Sequence, residues 1–198
     1  MRVSTKQITQ TVAPVVEPVT LTEMKLFLRE DYSDNDTLIT AQITAARQWV
    51  EKEIQQSLVQ RTYRADLWAF DYTFYMPVPP LASVSSIKYY NTDSPQVLTT
   101  LDSTVYRTDT GYGIVYLNSG SSWEAVSTRH DAVQITFVAG YAPDTSSPVD
   151  HAANVPEGIK AAIKLQVGDM FSNRETSTPL KITMLPTVDR LLAVYREY

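Results

Sequence analysis

The stretch ITAQITAARQWVEKEI, residues 39–54, decides the predicted fold because its apolar side chains recur at helical spacing. They follow one another at steps of four, three, four and four residues: Ile39, Ile43, Ala46, Val50 and Ile54. Such steps place them on one face of an α-helix. The opposite face is polar and carries Gln42, Arg47, Gln48, Glu51 and Gln55. We therefore predict an amphipathic helix whose apolar face packs against the rest of the chain.

Immediately before this helix, residues 20–29 are predicted to form a shorter one. Thr20 followed by Glu23 is a capping box, in which each side chain accepts a hydrogen bond from the backbone N–H of the other residue. The apolar face of this helix is formed by Leu21, Met24, Phe27 and Leu28. The helix ends near Arg29 and leads into the acidic loop 30–36.

From Leu58 onward the sequence changes to short stretches rich in β-branched and aromatic residues, separated by Asp-Ser, Asp-Thr-Gly and Asn-Ser-Gly turns. Strands are predicted at residues 59–70, 72–78, 81–92, 96–101, 104–108, 113–117 and 132–139. Short strands with frequent turns are typical of a small antiparallel sandwich or a barrel-like sheet. The twelve tyrosines of the chain suit both half-buried strands and protein interfaces.

Helical spacing returns after residue 155. Pro156 stands at a first-turn position, and a core face follows with Ile159, Ile163, Val167 and Met170. After the polar stretch 176–179, Pro186 opens a last short helix.

The predicted fold class is α+β, with a small bundle of N- and C-terminal helices and an inserted antiparallel β region. We predict an extended N-terminal arm at residues 1–19 and a helical body at 20–57 plus 155–175. The β insert covers 58–141, and a C-terminal linker and docking helix covers 176–198.

Composition narrows the function classes. The length of 198 residues corresponds to one domain, or one domain with an insert. The absence of cysteine excludes disulfides, thiolate catalysis and cysteine-bound metals. A net charge of −5 argues against sequence-independent nucleic-acid binding. Residues 1–10 do not resemble a signal peptide, and no apolar run approaches the ~20 residues of a membrane span. We expect a non-enzymatic protein without cofactor, metal or membrane contact.

Two groups of polar residues are candidate chemical sites. The acidic loop carries Asp31, Asp34 and Asp36, but it lacks the spacing, the glycine and the bidentate glutamate of a calcium loop. We expect instead that Ser33 or Asp34 caps the following helix, with Asp36 complementing its dipole. The His130-Asp131 pair has no nucleophile motif beside it and is interpreted as part of a loop before a strand.

Several motifs follow one another along nearly the whole chain. The first are Thr20-Leu21-x-Glu23-x-Lys25-x-x-Leu28-Arg29, Ala46-Arg47-x-x-Val50-Glu51 and Arg61-Thr62-Tyr63. They are followed by Pro80-Leu81-x-Ser83-Val84-Ser85-Ser86-Ile87-x-Tyr89, Val133-x-Ile135-x-Phe137-x-Ala139-Gly140-Tyr141, Pro156-Glu157-x-Ile159 and Leu185-Pro186-x-Val188-x-x-Leu191-Leu192-x-x-Tyr195-Arg196. In this order they resemble the head–tail connector (adaptor) proteins of tailed bacteriophages and gene-transfer particles.

The resemblance implies a structural protein of the virion, made in the host bacterial cytoplasm. It implies a homo-oligomeric ring of about twelve copies, docked under the portal protein and joined to a tail or stopper/nozzle protein. DNA is expected to pass through the lumen without specific binding, which suits an acidic chain. No catalysis and no cofactor are implied.

Two segments are candidates for contact with these partners. The first is the last helix, whose portal-docking candidates are Val188, Leu191, Leu192, Tyr195 and Arg196. The alternative is that its apolar residues close the bundle of the chain itself. The second is the N-terminal arm, with Val12, Val15, Val16 and Val19.

Two other functions remain open at this point. One is a different neck protein, such as a stopper or tail-completion protein, which we expect to be richer in strands and to lack the long helix at 39–54. The other is a carbohydrate-binding module built on the β insert.

Overall fold

The computed structural model describes residues 7–14, 16–146, 149–173 and 186–196. It divides the chain into two compact units. Among the described residues, the β unit comprises 7–14 and 60–141. The helical unit comprises the remainder, from residue 16 to residue 59 and from residue 142 onward.

The helical unit contains α1 (Leu21–Leu28), α2 (Asp36–Ile54), α3 (Glu157–Ser172) and α4 (Pro186–Ala193). Helices α2 and α3 pack along each other, α1 contacts both of them, and α4 lies against α2 and α3. The apolar residues that define the predicted face of α2 are all buried: Ile39, Ile43, Ala46, Val50 and Ile54. On α3 the buried residues are Ile159, Ala162, Ile163 and Val167. The predicted packing of N- and C-terminal helices is therefore confirmed.

The capping box of α1 is present as predicted. The backbone N–H of Thr20 donates to Glu23 Oε2 at 2.8 Å, and the backbone N–H of Glu23 donates to Thr20 Oγ1 at 3.2 Å. The predicted N-cap of α2 was wrong, because the cap residue is Asn35, which makes no side-chain cap hydrogen bond. Neither Ser33 nor Asp34 caps this helix. The physical reason is that the loop closes through its backbone, where the N–H of Asp36 donates to the carbonyl of Ser33.

The β unit consists of two antiparallel sheets. Its strands are β1 (Gln7–Gln10), β2 (Arg61–Leu67), β3 (Thr73–Tyr75), β4 (Leu81–Tyr90), β5 (Leu98–Thr100), β6 (Tyr106–Asp109), β7 (Ile114–Leu117) and β8 (Val133–Ala139). One sheet has the order β1-β2-β8-β4-β5, and the other has the order β3-β7-β6. The sheets are not closed into a barrel, so the barrel-like alternative is wrong. The α+β class is confirmed.

One apolar core is shared by the two sheets of the β unit. The five-stranded sheet contributes Ile87, Ile135 and Phe137, and the three-stranded sheet contributes Phe74 and Val115. All five are buried, because alternate residues of each strand point to the same face. Beside this core the ring of Phe70 stacks on that of Trp123, with 4.7 Å between centroids.

The N-terminal segment differs from the predicted arm. Residues Gln7–Gln10 form β1, an edge strand paired with β2 in the register Gln7↔Asp66 to Gln10↔Tyr63. The carbonyl of Thr62 also accepts hydrogen bonds from the N–H groups of Thr11 and Val12. The segment is extended, as its sequence predicts, but its hydrogen bonds go to the chain's own sheet.

Candidate assembly surfaces

The polar groups singled out in the sequence are held by local contacts. In the acidic loop, Asp36 forms an ion pair with Lys25, with 2.7 Å between Nζ and Oδ1, whereas Asp31 and Asp34 are exposed. Among the described residues, no group of three acidic or histidine side chains is placed to hold a metal ion. None of the described helices has the length and apolar character needed to span a bilayer.

His130 lies in the turn before β8, as the sequence predicts, and its ring makes an edge-to-face contact with Trp68, with 6.3 Å between the ring centroids. Its neighbours Arg129 and Asp131 form a bidentate pair at 2.5 and 2.9 Å. This hydrogen bonding from Arg129 lowers the pKa of Asp131 and outweighs the opposing effect of its partial burial. The guanidinium of Arg129 also lies 3.6 Å from the ring centroid of Tyr90. The pairing of Arg129 with Asp131 and the contact of Arg129 with Tyr90 stabilise this loop.

The candidate docking helix α4 is folded onto its own unit. Val188 and Leu192 are fully buried, and Leu191 is half-buried. A Cβ added to Gly158 of α3 would lie 2.9 Å from the hydroxyl of Tyr195, so this ring covers the glycine. The side chains of Val188 and Leu192 therefore pack within the helical bundle, and their docking on a portal stays a prediction.

Ion pairs of Arg196 also hold the end of the chain against α2. The Nη2 of Arg196 lies 2.8 Å from Asp189 and 3.2 Å from Glu53 of α2. The side-chain amide of Gln56 donates to the carbonyl of Tyr195 at 2.9 Å. The C-terminal candidates are thus brought together, but in contact with α2 and α3.

The four valines of the N-terminal segment are not equivalent. Val12 and Val16 are exposed, whereas Val19 is fully buried in front of α1. Val15 lies outside the described residues. Burial leaves Val19 no exposed area within its unit, and its contact with a neighbouring subunit or tail component stays a prediction.

Two outward-facing patches remain on the helical unit. The acidic tip consists of Leu26, Asp31, Tyr32 and Asp34, and its apolar members Leu26 and Tyr32 are 82% and 75% exposed. Lys25 Nζ fixes this loop by donating to the carbonyl of Tyr32 at 2.9 Å and to Asp36. The basic ridge consists of Arg190 on the outer face of α4 and Val194 directly after the helix, with Val194 83% exposed.

The β unit offers a third surface, the outer face of the three-stranded sheet. Register places Tyr75 opposite Ile114 and Tyr116 opposite Arg107 on this face. Tyr75 is exposed, as is Tyr112 in the turn between β6 and β7. An open face of aromatic and polar groups is the type of surface that protein interfaces use.

The sequence reasoning did not single out Leu26, Arg190 and Val194 as surface residues. A signal for Leu26 was present, because three consecutive apolar residues at 26–28 in so short a helix cannot all point inward. No comparable signal marks Arg190 and Val194, since their exposure depends on which face of α4 meets α2 and α3.

Comparison with known proteins agrees with the fold and with the family resemblance. Residues 18–100 match the family model of phage gp6-like head-tail connector proteins. The matched range contains α1, α2 and strands β2 to β5. The resemblance to head–tail connectors is thereby confirmed. No curated protein sequence matches the chain significantly.

Solved structures extend the similarity over the remaining residues. A chain in "Neck of empty GTA particle computed with C6 symmetry" matches at 17% identity with a TM-score of 0.75, covering 97% of this chain and 96% of that one. A chain in "Virion of native gene transfer agent (GTA) particle" matches at 18% identity with the same score and coverage. A chain in "Neck of native GTA particle computed with C12 symmetry" gives 18% identity, a TM-score of 0.62, and coverage of 95% and 96%. At these identities the matches establish a common fold over nearly the full length.

Proposed function

We propose that this chain is a structural head–tail connector (adaptor) in the neck of a tailed phage or a related gene-transfer particle. The observation that carries the proposal is the connector family match over residues 18–100 within a fold shared along the whole chain with neck proteins. The long helix α2, which distinguishes this interpretation from a stopper or tail-completion protein, has 19 residues. The proposed role is structural and non-catalytic, and the proposed location is the virion.

A ring is the proposed assembly. The related neck particles were computed with C6 and C12 symmetry, which supports a cyclic arrangement of about twelve copies here. A head-to-tail ring uses two different patches on each subunit. The chain exposes several such patches, among them the acidic tip, the basic ridge and the tyrosine face of the β unit.

The proposed partners are the portal protein on one side and a tail or stopper protein on the other. Docking on the portal through Val188 and Leu192 requires α4 to leave its bundle, because both side chains are buried there. DNA is proposed to pass through the lumen without being held, since a net charge of −5 repels phosphate.

Removing the gene from the producing genome tests this function. Electron microscopy should then show DNA-filled heads and separate tails, and supply of the wild-type chain should restore joined particles. Joined particles in the absence of the chain would contradict a connector role. Tails without any filled heads would place the function earlier in assembly.

A further inference from the structure

We propose that the acidic tip of one copy docks on the basic ridge of the next copy, and that this contact links subunits in the ring. The inference rests on the proposed function, because it assigns the two patches that a ring of this chain needs. The partner that each patch binds is a second copy of the chain.

The two patches lie at opposite ends of α3. Near the end of this helix, a Cβ added to Gly168 would lie 3.3 Å from the ring of Phe27, beside Leu26 on α1. Near its start, Gly158 is covered by Tyr195, which follows Val194. Ten residues of α-helix separate these glycines by about 15 Å. The patches therefore cannot meet within one subunit, whereas a head-to-tail neighbour brings one against the other.

Charge complementarity selects the second copy as the occupant. Within the tip, Lys25 is already paired with Asp36, and the amide of Asn35 donates to Glu30. Asp31 and Asp34 have no ion pair within the described part of the chain. Residues 25–36 carry four carboxylates and two cations, Lys25 and Arg29, so the tip has a negative net charge.

The ridge presents the matching chemistry. Asp189 is paired with Arg196, and Arg190 has no ion-pair partner among the described residues. A guanidinium is well suited to an interface carboxylate, because its planar donors bind both oxygens. The exposed Val194 stands one helical turn after Arg190 and offers apolar area to Leu26 and Tyr32. Tyrosine and arginine are the residues that most often dominate interface energies.

Disulfide trapping tests this contact directly, because the chain contains no cysteine. Tyr32→Cys and Val194→Cys replace exposed side chains and are made as two differently tagged chains. They are mixed with the portal protein of the same genome and oxidised. We expect a cross-linked pair containing one chain of each kind, and a ladder of oligomers from the double variant. The matched control combines Val194→Cys with Tyr72→Cys, which is 78% exposed, close to Tyr32, and lies on the β unit outside the surfaces named above.

Charge reversal gives a second, independent measure. Arg190→Glu or Asp34→Lys alone should raise the concentration needed for half-assembly about tenfold, and the two reversals mixed together should restore it. If wild-type rings form while both variants assemble normally and cross-linking equals the control, the inference is wrong and the proposed function stands. If the wild-type chain forms no ring even with the portal, the proposed function fails and the inference fails with it.

Discussion

Arg47 in the middle of α2 donates from Nε to Glu17 Oε2 at 2.6 Å, across thirty residues of chain. The same guanidinium donates from Nη1 to Glu51 at 2.8 Å, and its side chain is only 4% exposed. Burial alone would lower the pKa of Arg47, but its hydrogen bonds to Glu17 and the negative charges of Glu51 and Glu17 raise it. This network fixes the segment before α1 against α2.

Removing the cation at this site should destabilise the protein strongly. Arg47→Met leaves two carboxylates without their partner, and breaking a buried pair in this way costs about 3 kcal/mol. Urea unfolding measures the loss. Gln48→Ala, one residue along on the exposed face, is the control and should change the free energy of unfolding by less than about 0.5 kcal/mol. Equal effects of the two substitutions would show that the network contributes nothing.

The capping box of α1 should make stability depend on acid pH. Partial burial tends to raise the pKa of Glu23, but hydrogen bonds from the backbone and side chain of Thr20, with Lys164 nearby, lower it below 4.5. Because the folded-state value is the lower one, the contribution is complete above pH 4.5 and is lost as the pH falls through the folded value. The wild-type chain and Glu23→Gln should therefore converge in unfolding free energy on acidification. A difference that stays constant with pH would contradict this assignment.

Truncation of α4 side chains distinguishes a helix packed in its bundle from a free docking helix. Leu192→Ala should lower the free energy of unfolding by about 2–5 kcal/mol, because it leaves a cavity at a fully buried position. Val194→Ala, two residues away on the exposed face, should change it by less than about 0.5 kcal/mol. Two changes of equal size near zero would mean that α4 does not pack on α2 and α3 in solution.

Hydrogen exchange tests the assignment of the first described residues to the sheet. The pairing of β1 with β2 and the 2.9 Å bond from the Thr11 N–H to the Thr62 carbonyl should slow amide exchange at Thr9 and Thr11, whose N–H groups lie on the side of β1 that faces β2. A fully unfolded sample provides the reference rates. Exchange at those reference rates would instead favour the free arm.

Sequence reasoning succeeded where a local pattern coincides with the physical cause. The spacing of Ile39 to Ile54 is the buried face of α2, and Thr20 with Glu23 is the cap of α1, so no distant residue is needed to infer either. The strands after residue 58 were also found, because alternation and turn residues mark them. It failed for β1, whose sequence QITQ is mostly polar and becomes a strand only through pairing with Arg61–Leu67, more than fifty residues later.

The assembly surfaces were harder to predict for the same reason. Whether Val188 and Leu192 face a partner or their own bundle depends on how α4 meets α2 and α3, which the amphipathic pattern alone leaves open. Exposure of Leu26 and Val194 is likewise a property of the packed unit.

Mass photometry of the purified chain, alone and mixed with the portal protein of the same genome, tests the connector assignment most directly. We predict a closed oligomer of about a dozen subunits, or a mass step of that size that depends on the portal. A strict monomer that ignores the portal at micromolar concentration would contradict the account and favour a ligand-binding module.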